Sequence, residues 1–109
     1  MAGDSLIPVI IHLDGQTRVN TVVLVDENIE SFEELATLFY TTLRPKIPEF
    51  YLEQGERHIT KMWITWNPGN DRFLPTSTDI DEENIRGCLR ILGLRRGADM
   101  VGVWLNEID

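Results

Sequence analysis

Two β-rich runs that flank a turn pair open the chain and constrain its fold more than any other feature. Residues 6–12 (LIPVIIH) are rich in β-branched and apolar side chains, and residues 18–26 (RVNTVVLVD) form a second such run. Asp14 and Gly15 between them supply left-handed backbone at little cost, as tight hairpin turns require. The pattern predicts an N-terminal β-hairpin with a loop of two or four residues within residues 14–17.

A helical period replaces the strand pattern at Ser31. Ser31 and Glu34 have the capping-box spacing, in which the serine oxygen accepts an amide hydrogen bond and the glutamate reaches back. Pro45 should end this helix because it disfavours helical geometry in the preceding residue and has no amide hydrogen. The apolar positions recur at three- and four-residue steps and predict one stripe that lies on a sheet: Phe32, Leu35, Phe39 and Leu43.

The second half of the chain predicts two or three further strands. Residues 46–61 form a long, charged connection with Pro48 and Gly55, with room for one helical turn. Residues 62–66 (MWITW) are a strand candidate ended by the turn cluster 67–70 (NPGN). Residues 72–74 are expected to add a short strand, and residues 100–105 (MVGVWL) a terminal one.

A second, shorter helix is expected before the terminal strand. Asp79 or Asp81 can cap it, and Gly93 is expected to end it. Its apolar positions fall on one face: Ile85, Cys88, Leu89 and Leu92.

This order of elements predicts an α+β fold with a mixed sheet of four or five strands. A chain of 109 residues is expected to form one domain over 1–109, because single cores typically organise about 100–150 residues. Residues 1–5 and 106–109 are expected to be loose ends. The predicted core between the main helix and the sheet has six members: Phe32, Leu35, Phe39, Ile64, Val101 and Val103.

The element order and three segments resemble the ubiquitin-like β-grasp superfamily. Residues 92–105 (LGLRRGADMVGVWL) and the turn after MWITW are similar to small ubiquitin-like modifiers, in which a leucine-rich turn, a tight glycine or acidic turn and an alternating terminal strand follow one another. Residues 70–92, with DIDEENI before the helix, are similar to the acidic motif of Phox-and-Bem-type interaction domains. The resemblance covers residues 6–105 and implies a β-grasp fold that binds partners on the outer face of its sheet. The chain departs from it in its longer connection at 46–61 and its LNEID end, which has no Gly-Gly.

Charge and composition narrow the classes of partner. Eighteen acidic residues against 10 basic ones give a formal charge of −8, which repels phosphates and anionic lipid headgroups. Nucleic acid and membrane surfaces are therefore not expected as partners. No apolar stretch approaches the roughly 20 residues needed to span a bilayer, residues 1–5 (MAGDS) lack a signal-peptide pattern, and one cysteine cannot form an internal disulfide. An intracellular protein, cytoplasmic or nuclear, is expected.

The sequence shows no set of residues that would be expected to come together in a catalytic site. His12, His58 and Cys88 lie in different predicted elements without metal-ligand spacing, so no metal and no cofactor are expected. Cys88 has apolar helical neighbours, which favours a small buried hydrophobe over a reactive thiolate. The glycines match no phosphate-binding fingerprint. The sequence predicts that the protein is not an enzyme.

An acidic run at the start of the first helix is one of two candidate surfaces. Five carboxylates fall within residues 26–34 without a basic neighbour: Asp26, Glu27, Glu30, Glu33 and Glu34. They either compensate the helix dipole or form a docking face for a basic partner. A second acidic group either extends that face or caps the second helix and pairs with Arg86 at helical spacing: Asp79, Asp81, Glu82 and Glu83.

The second candidate surface is aromatic. Strand alternation places Trp63 and Thr65 on one face of their strand, and Gly102 and Trp104 on one face of theirs. If Ile64 faces the helix, all four lie on the outer face, where two rings beside a glycine leave a shallow apolar notch. Either a partner occupies this notch or the connection at 46–61 folds over it with Phe50 or Tyr51.

These features together predict a non-enzymatic ubiquitin-like adaptor or scaffold domain. It is expected to bind another protein, one with a basic surface where the acidic side is used, through the outer sheet face or that acidic side. The partner-binding residues predicted are Trp63, Thr65, Gly102, Trp104, Glu30, Glu33 and Glu34. One alternative is an acidic inhibitor that mimics nucleic acid in a basic groove. Another is a ubiquitin-like modifier truncated before its Gly-Gly tail.

Overall fold

Five strands form one mixed sheet in a computed structural model that describes residues 6–14, 19–69 and 73–106. The strands are β1 (Leu6–Leu13), β2 (Asn20–Asp26), β3 (Ile59–Thr65), β4 (Ser77–Asp79) and β5 (Met100–Leu105). Their order across the sheet is β2-β1-β5-β3-β4. The predicted hairpin is present, since β1 and β2 pair antiparallel from Leu6 opposite Asp26 to His12 opposite Asn20. Its loop at 15–18 lies outside the described residues.

The first and last strands lie side by side in the middle of the sheet. β5 runs parallel to β1, with Ile10 opposite Met100, and antiparallel to β3, with Trp63 opposite Gly102. A parallel pair needs a long crossover, which the intervening helices and strands supply. β1 and β5 therefore pair with each other inside the sheet, with β2 on one side of them and β3 and β4 on the other.

The described residues include three α-helices between the strands: α1 (Phe32–Leu43), α2 (Glu49–Glu53) and α3 (Ile85–Leu94). Ser31 caps α1 as predicted, because its Oγ accepts a hydrogen bond from the Glu34 amide at 3.3 Å. Pro45 follows α1 inside a short 3₁₀ turn, Arg44–Lys46, where its missing amide hydrogen costs nothing. α2 is the single helical turn that the sequence allowed in the connection.

The core lies between α1, α3 and one face of the sheet. Five of the six predicted core residues are fully buried: Leu35, Phe39, Ile64, Val101 and Val103. Phe32 is only half-buried and packs against the cluster from its rim, because it occupies the first position of α1. Strand residues that alternate with these core positions face away from the helices, and we call that side the outer face.

The polar strand β4 lies in a segment for which the sequence predicted no strand. The strand predicted at 72–74 is wrong at Phe73 and Leu74, which form a turn and a bend, while residue 72 lies outside the described residues. The strand in this part of the chain is Ser77–Asp79. Its three residues carry no apolar side chain, so only pairing with β3 identifies it. β3 itself begins three residues before the predicted start, at Ile59.

The boundaries of α3 also differ from the prediction. Its N-cap is Asn84 rather than Asp79 or Asp81, while the Asp81 carboxylate closes the preceding turn by accepting the amides of Glu83 and Asn84 at 2.8 Å each. Gly93 does not end the helix. The left-handed residues come later, at Arg96 (φ 52°) and Gly97 (φ 81°).

Packing against β1, rather than a helix end, explains why residue 93 is a glycine. A Cβ at Gly93 would lie 2.9 Å from Cγ2 of Ile7, so this glycine lets α3 approach β1 closely. A sequence pattern alone cannot distinguish such a glycine from a helix stop.

The predicted loose end at 106 is fixed in place. The Asn106 side chain accepts a hydrogen bond from the His58 amide at 2.7 Å and donates one to the Glu56 carbonyl at 3.0 Å. Arg57 donates to the Asn106 carbonyl at 2.7 Å. The other residues predicted to be loose, 1–5 and 107–109, lie outside the described residues.

Candidate functional site

The outer face carries several exposed apolar side chains. Fractional exposure is 61% for Val22, 59% for Leu24, 41% for Trp104 and 40% for Met100. Strand register places Val22 opposite Ile10, and Ile10 opposite Met100, so these three side chains form a row across β2, β1 and β5. Leu24 and Trp104 lie on the same face outside this row. The helices pack on the other face and leave this row in contact with solvent.

Trp63 covers Gly102 on the neighbouring strand. A Cβ at Gly102 would overlap the indole, at 2.8 Å from its Nε1, so no other residue fits beneath the ring as it stands. The His12 ring meets Trp63 edge-to-face, with 6.2 Å between ring centroids and an interplanar angle of 87°. Trp63 is therefore a half-buried ring that bridges β3, β5 and β1.

Trp104 is the more accessible of the two predicted tryptophans. It lies opposite Lys61 on β3, and its carbonyl accepts a hydrogen bond from Thr60 Oγ1 at 3.3 Å. Thr65, also exposed, lies opposite Met100. All four residues predicted for this face are on it, but Trp63 fills the notch expected at Gly102, which is buried and cannot itself contact a partner.

The connection at 46–61 does not cover Trp104. Tyr51 and Leu52 pack against the core cluster, and Phe50 is exposed with its ring 4.8 Å from that of Tyr51. Arg57 fixes the connection to the end of β5 through the Asn106 carbonyl, and it also donates to the Tyr51 carbonyl at 3.0 Å. The side chain of Trp104 remains open to solvent.

The acidic side is formed by residues from two distant segments. Glu30, Glu33 and Glu34 are all exposed at the start of α1. Glu82 lies beside them, because its Oε1 accepts a hydrogen bond from the Phe32 amide at 2.8 Å. This contact spans 50 positions and supplies a capping bond that the sequence did not indicate. It satisfies one of the free amides at the helix start.

Arg86 is the cation within this acidic side. It approaches Glu30, with 3.7 Å between Arg86 Nε and Glu30 Oε1. Both side chains are largely exposed, so the pair contributes little to stability. Among the described residues, Arg86 forms no ion pair with the four carboxylates that one interpretation of the sequence paired with it: Asp79, Asp81, Glu82 and Glu83. Asp79 belongs elsewhere: it lies on the outer face opposite Trp63, 3.9 Å from Lys61 Nζ.

A shallow groove runs between α1 and β3 next to the acidic side. Its volume is about 400 Å³, and Glu33 and His58 lie at its polar margin. Its apolar lining comes from Phe32, Ala36 and Ile59. An apolar groove with a carboxylate at its margin suits a long basic side chain, whose carbon stem is apolar and whose head is charged.

A buried ion pair fixes the loop after β3 and was not foreseen from the sequence. Asp99 is almost fully buried and accepts hydrogen bonds from Arg95 Nε at 2.6 Å and from the Asn67 amide at 2.7 Å. Arg95 also donates to the Asn67 carbonyl and lies 5.9 Å from the Trp66 ring centroid. The four-residue spacing of Arg95 and Asp99 was the only signal available.

Cys88 is buried, as predicted from its apolar neighbours. Desolvation, with a smaller contribution from the nearby charge of Asp81, raises the pKa of its thiol. A thiol of this kind stays protonated at neutral pH and is a poor nucleophile.

Metal-ligating groups do not converge anywhere in residues 6–14, 19–69 and 73–106: no set of three or more histidine, cysteine or acidic side chains is placed to hold an ion. Within the same residues, no helix has the length and apolar character needed to cross a bilayer. Comparison of this chain with protein-family models, curated proteins and solved structures finds no match.

Proposed function

We propose that this chain is a non-enzymatic ubiquitin-like β-grasp domain that acts as an adaptor or scaffold by binding another protein through its outer face. The observation that carries the proposal is the exposed apolar surface of β5 on the outer face, where Trp104 is 41% exposed and Met100, four residues before it, is 40% exposed. Contiguous apolar surface on a soluble domain commonly marks an interaction site.

The strand arrangement supports the β-grasp part of the proposal. The structure contains a hairpin, a helix packed across the sheet and a last strand beside the first, which is the element order on which the resemblance to the β-grasp superfamily rests. The order β2-β1-β5-β3-β4 places that last strand at the centre of the sheet. The pairing of β5 with β1 and the packing of the helix on the sheet therefore both support the proposed β-grasp fold.

Trp104 is the proposed anchor of the interface. Tryptophan is enriched among residues whose truncation costs an interface more than about 2 kcal/mol. Trp63 has a supporting role, because its contacts with Gly102 and His12 hold it against the sheet. Asp26 stands at one margin of the outer face and the Lys61–Asp79 ion pair at the other, so the complementary partner surface is apolar, with a basic side chain where it meets Asp26.

The test compares two exposed aromatic residues. A partner is captured from cell extract with the wild-type domain, purified, and its dissociation constant measured by calorimetry against Trp104→Ala and Phe50→Ala. The first variant should weaken binding by about 30-fold or more, which corresponds to about 2 kcal/mol. Phe50→Ala, on α2 and away from the sheet, should bind within a factor of about two. Equal affinities of the two variants would exclude Trp104 as the anchor.

The hydrogen bond from the Phe32 amide to Glu82 brings two acidic segments together, and this observation supports a second candidate function. This acidic side would dock the basic surface of a nucleic-acid-binding protein by charge mimicry, with a basic side chain in the groove beside Glu33. Binding of that kind weakens steeply as salt rises, whereas an apolar interface is nearly insensitive. Measuring the captured partner's affinity at low and high NaCl separates the two functions.

A further inference from the structure

The two edges of the sheet are very different. β4 is three residues long and polar, which is how natural sheets commonly protect an edge. β2 has seven residues, two strongly exposed apolar side chains, and no proline, lysine or arginine. Such an edge is a template for another strand.

The hydrogen-bond pattern of the hairpin shows which backbone amides and carbonyls of β2 point away from β1. Leu13 donates its amide hydrogen to the Val19 carbonyl at 2.9 Å, so these two residues form a hydrogen-bonded pair of the hairpin. Every second residue of β2 counted from Val19 is therefore also hydrogen-bonded to β1. Antiparallel strands alternate between bonded and non-bonded pairs, which turns the Val22 and Leu24 amides and carbonyls away from β1. Within the part of the chain that the structure describes, these groups have no protein partner. The Asp26 carbonyl is already used by the Ile29 amide at 3.1 Å.

We propose that β2 pairs antiparallel with β2 of a second copy of this chain, around a two-fold axis at Val23. In this register Val22 of one copy lies opposite Leu24 of the other, and the two can exchange both backbone hydrogen bonds. The side chains of these residues, at 61% and 59% exposure, then pack together on the outer face. The result is a continuous sheet through both copies.

The sequence of β2 favours this register over its neighbours. Asn20 lies opposite Asp26 of the second copy, so no like charges meet. An axis at Leu24 would place Asp26 opposite Val22, and an axis at Val22 would place Leu24 opposite Asn20. Only the axis at Val23 pairs apolar with apolar and polar with polar.

Charge gives this association a distinctive salt dependence. Each copy carries a formal charge of −8, so the copies repel one another at long range. Added salt screens that repulsion and should strengthen the pairing. A basic partner on the acidic side would respond in the opposite direction. Because β1 separates β2 from β5, pairing leaves Trp104 free, and the inference does not depend on the proposed function.

The first experiment is sedimentation analysis of the intact chain from micromolar to millimolar concentration, at low and high NaCl. The wild type should pass from monomer to dimer, at lower concentration in high salt. Val22→Lys and Leu24→Lys should remain monomeric, while Ser77→Lys, the same charge change on the β4 edge, should dimerise like the wild type. Unchanged thermal melting of each variant shows that the fold is kept. A wild type that stays monomeric at every concentration, or a Val22→Lys variant that dimerises normally, would overturn the proposal.

The second experiment tests the register in a Cys88→Ala background. Val22→Cys with Leu24→Cys places a cysteine opposite a cysteine in both symmetry-related pairs and should give a covalent dimer under mild oxidation. Either single variant should not, because its cysteine then faces Leu24 or Val22 of the second copy. Rapid cross-linking by a single variant would exclude the axis at Val23. Binding of an extended peptide along β2 without self-association would show that the occupant is not a second copy.

Discussion

The indole of Trp63 lies directly over Gly102 on the neighbouring strand, with no room for a Cβ between them. Gly102→Ala should therefore force the ring or the strand to move and lower the free energy of unfolding by about 1–3 kcal/mol. Urea denaturation measures this difference. Gly87→Ala is the matched control, because it lies within α3 with nothing within 4 Å of a new Cβ, and it should be neutral or stabilising by up to about 1 kcal/mol. Equal stability of Gly102→Ala and the wild type would show that Trp63 moves aside freely.

Among the described residues, Phe39 is the largest side chain that is fully buried. Phe39→Ala should lower the free energy of unfolding by about 3–5 kcal/mol, since it removes a buried ring and leaves a cavity. Phe50→Ala, at an exposed position on α2, should lower it by less than about 1 kcal/mol. If Phe39→Ala melts within a degree or two of the wild type, the packing of α1 on the sheet is not as described.

The Asp99 carboxylate should contribute more to stability than an exposed one. Asp99→Asn removes the charge that faces Arg95 in a buried pair and should lower the free energy of unfolding by about 3 kcal/mol. Asp79→Asn alters an exposed pair in which Lys61 Nζ is 3.9 Å away, and a change within about 0.5 kcal/mol is expected. Chemical denaturation of both variants gives the comparison. If Asp99→Asn and Asp79→Asn lower the free energy of unfolding by similar amounts, the charge of Asp99 contributes little to stability and only its hydrogen bonds matter.

The raised pKa of Cys88 predicts a loss of stability in alkali. Burial favours the protonated thiol in the native state, so its contribution is complete below the ordinary thiol pKa and is lost as pH rises through the raised native pKa. The wild type should therefore lose more unfolding free energy than Cys88→Ala between neutral and alkaline pH. Parallel denaturation curves across this range measure the difference. Identical pH profiles would contradict the buried, protonated thiol.

Charge reversal tests the acidic side. Replacing Glu30, Glu33 and Glu34 with lysine should leave the fold nearly intact, because each carboxylate is exposed and Glu30 makes only a long, solvated contact with Arg86. The association rate with a basic partner should fall at low salt. Stopped-flow mixing at low and high NaCl measures this rate. An unchanged rate would leave these carboxylates with a role at the helix dipole alone.

Local patterns were sufficient to predict the hairpin, the main helix and the faces of the strands. The alternation around Ile64 and Val103 and the helical stripe around Phe39 each report on burial directly, and the structure buries all three residues. Ser31 was identifiable as a cap because its partner, the amide of Glu34, lies three residues away. These features are decided by neighbours in sequence.

Features decided by distant neighbours were not predictable. Glu82 bonds to Phe32 across 50 positions, and no sequence spacing indicates such a contact. Gly93 and Gly102 are required by Ile7 and Trp63, not by their own backbone conformation. The notch expected at Gly102 is filled for the same reason: strand parity places residues on a face but does not give the direction of a ring across it.

The central position of the parallel pair β1 and β5 affects how this chain can fold during synthesis. β1 leaves the ribosome well before β5, because most of the domain lies between them in the sequence, yet the two strands are neighbours. Until residue 105 emerges, the nascent hairpin and β3 have no strand between them, and the apolar side chains meant for the core stay accessible. Pairings so distant in sequence form slowly because loop closure must precede them. Folding of this domain should thus be completed only after β5 emerges, in one late step that joins β5 to β1.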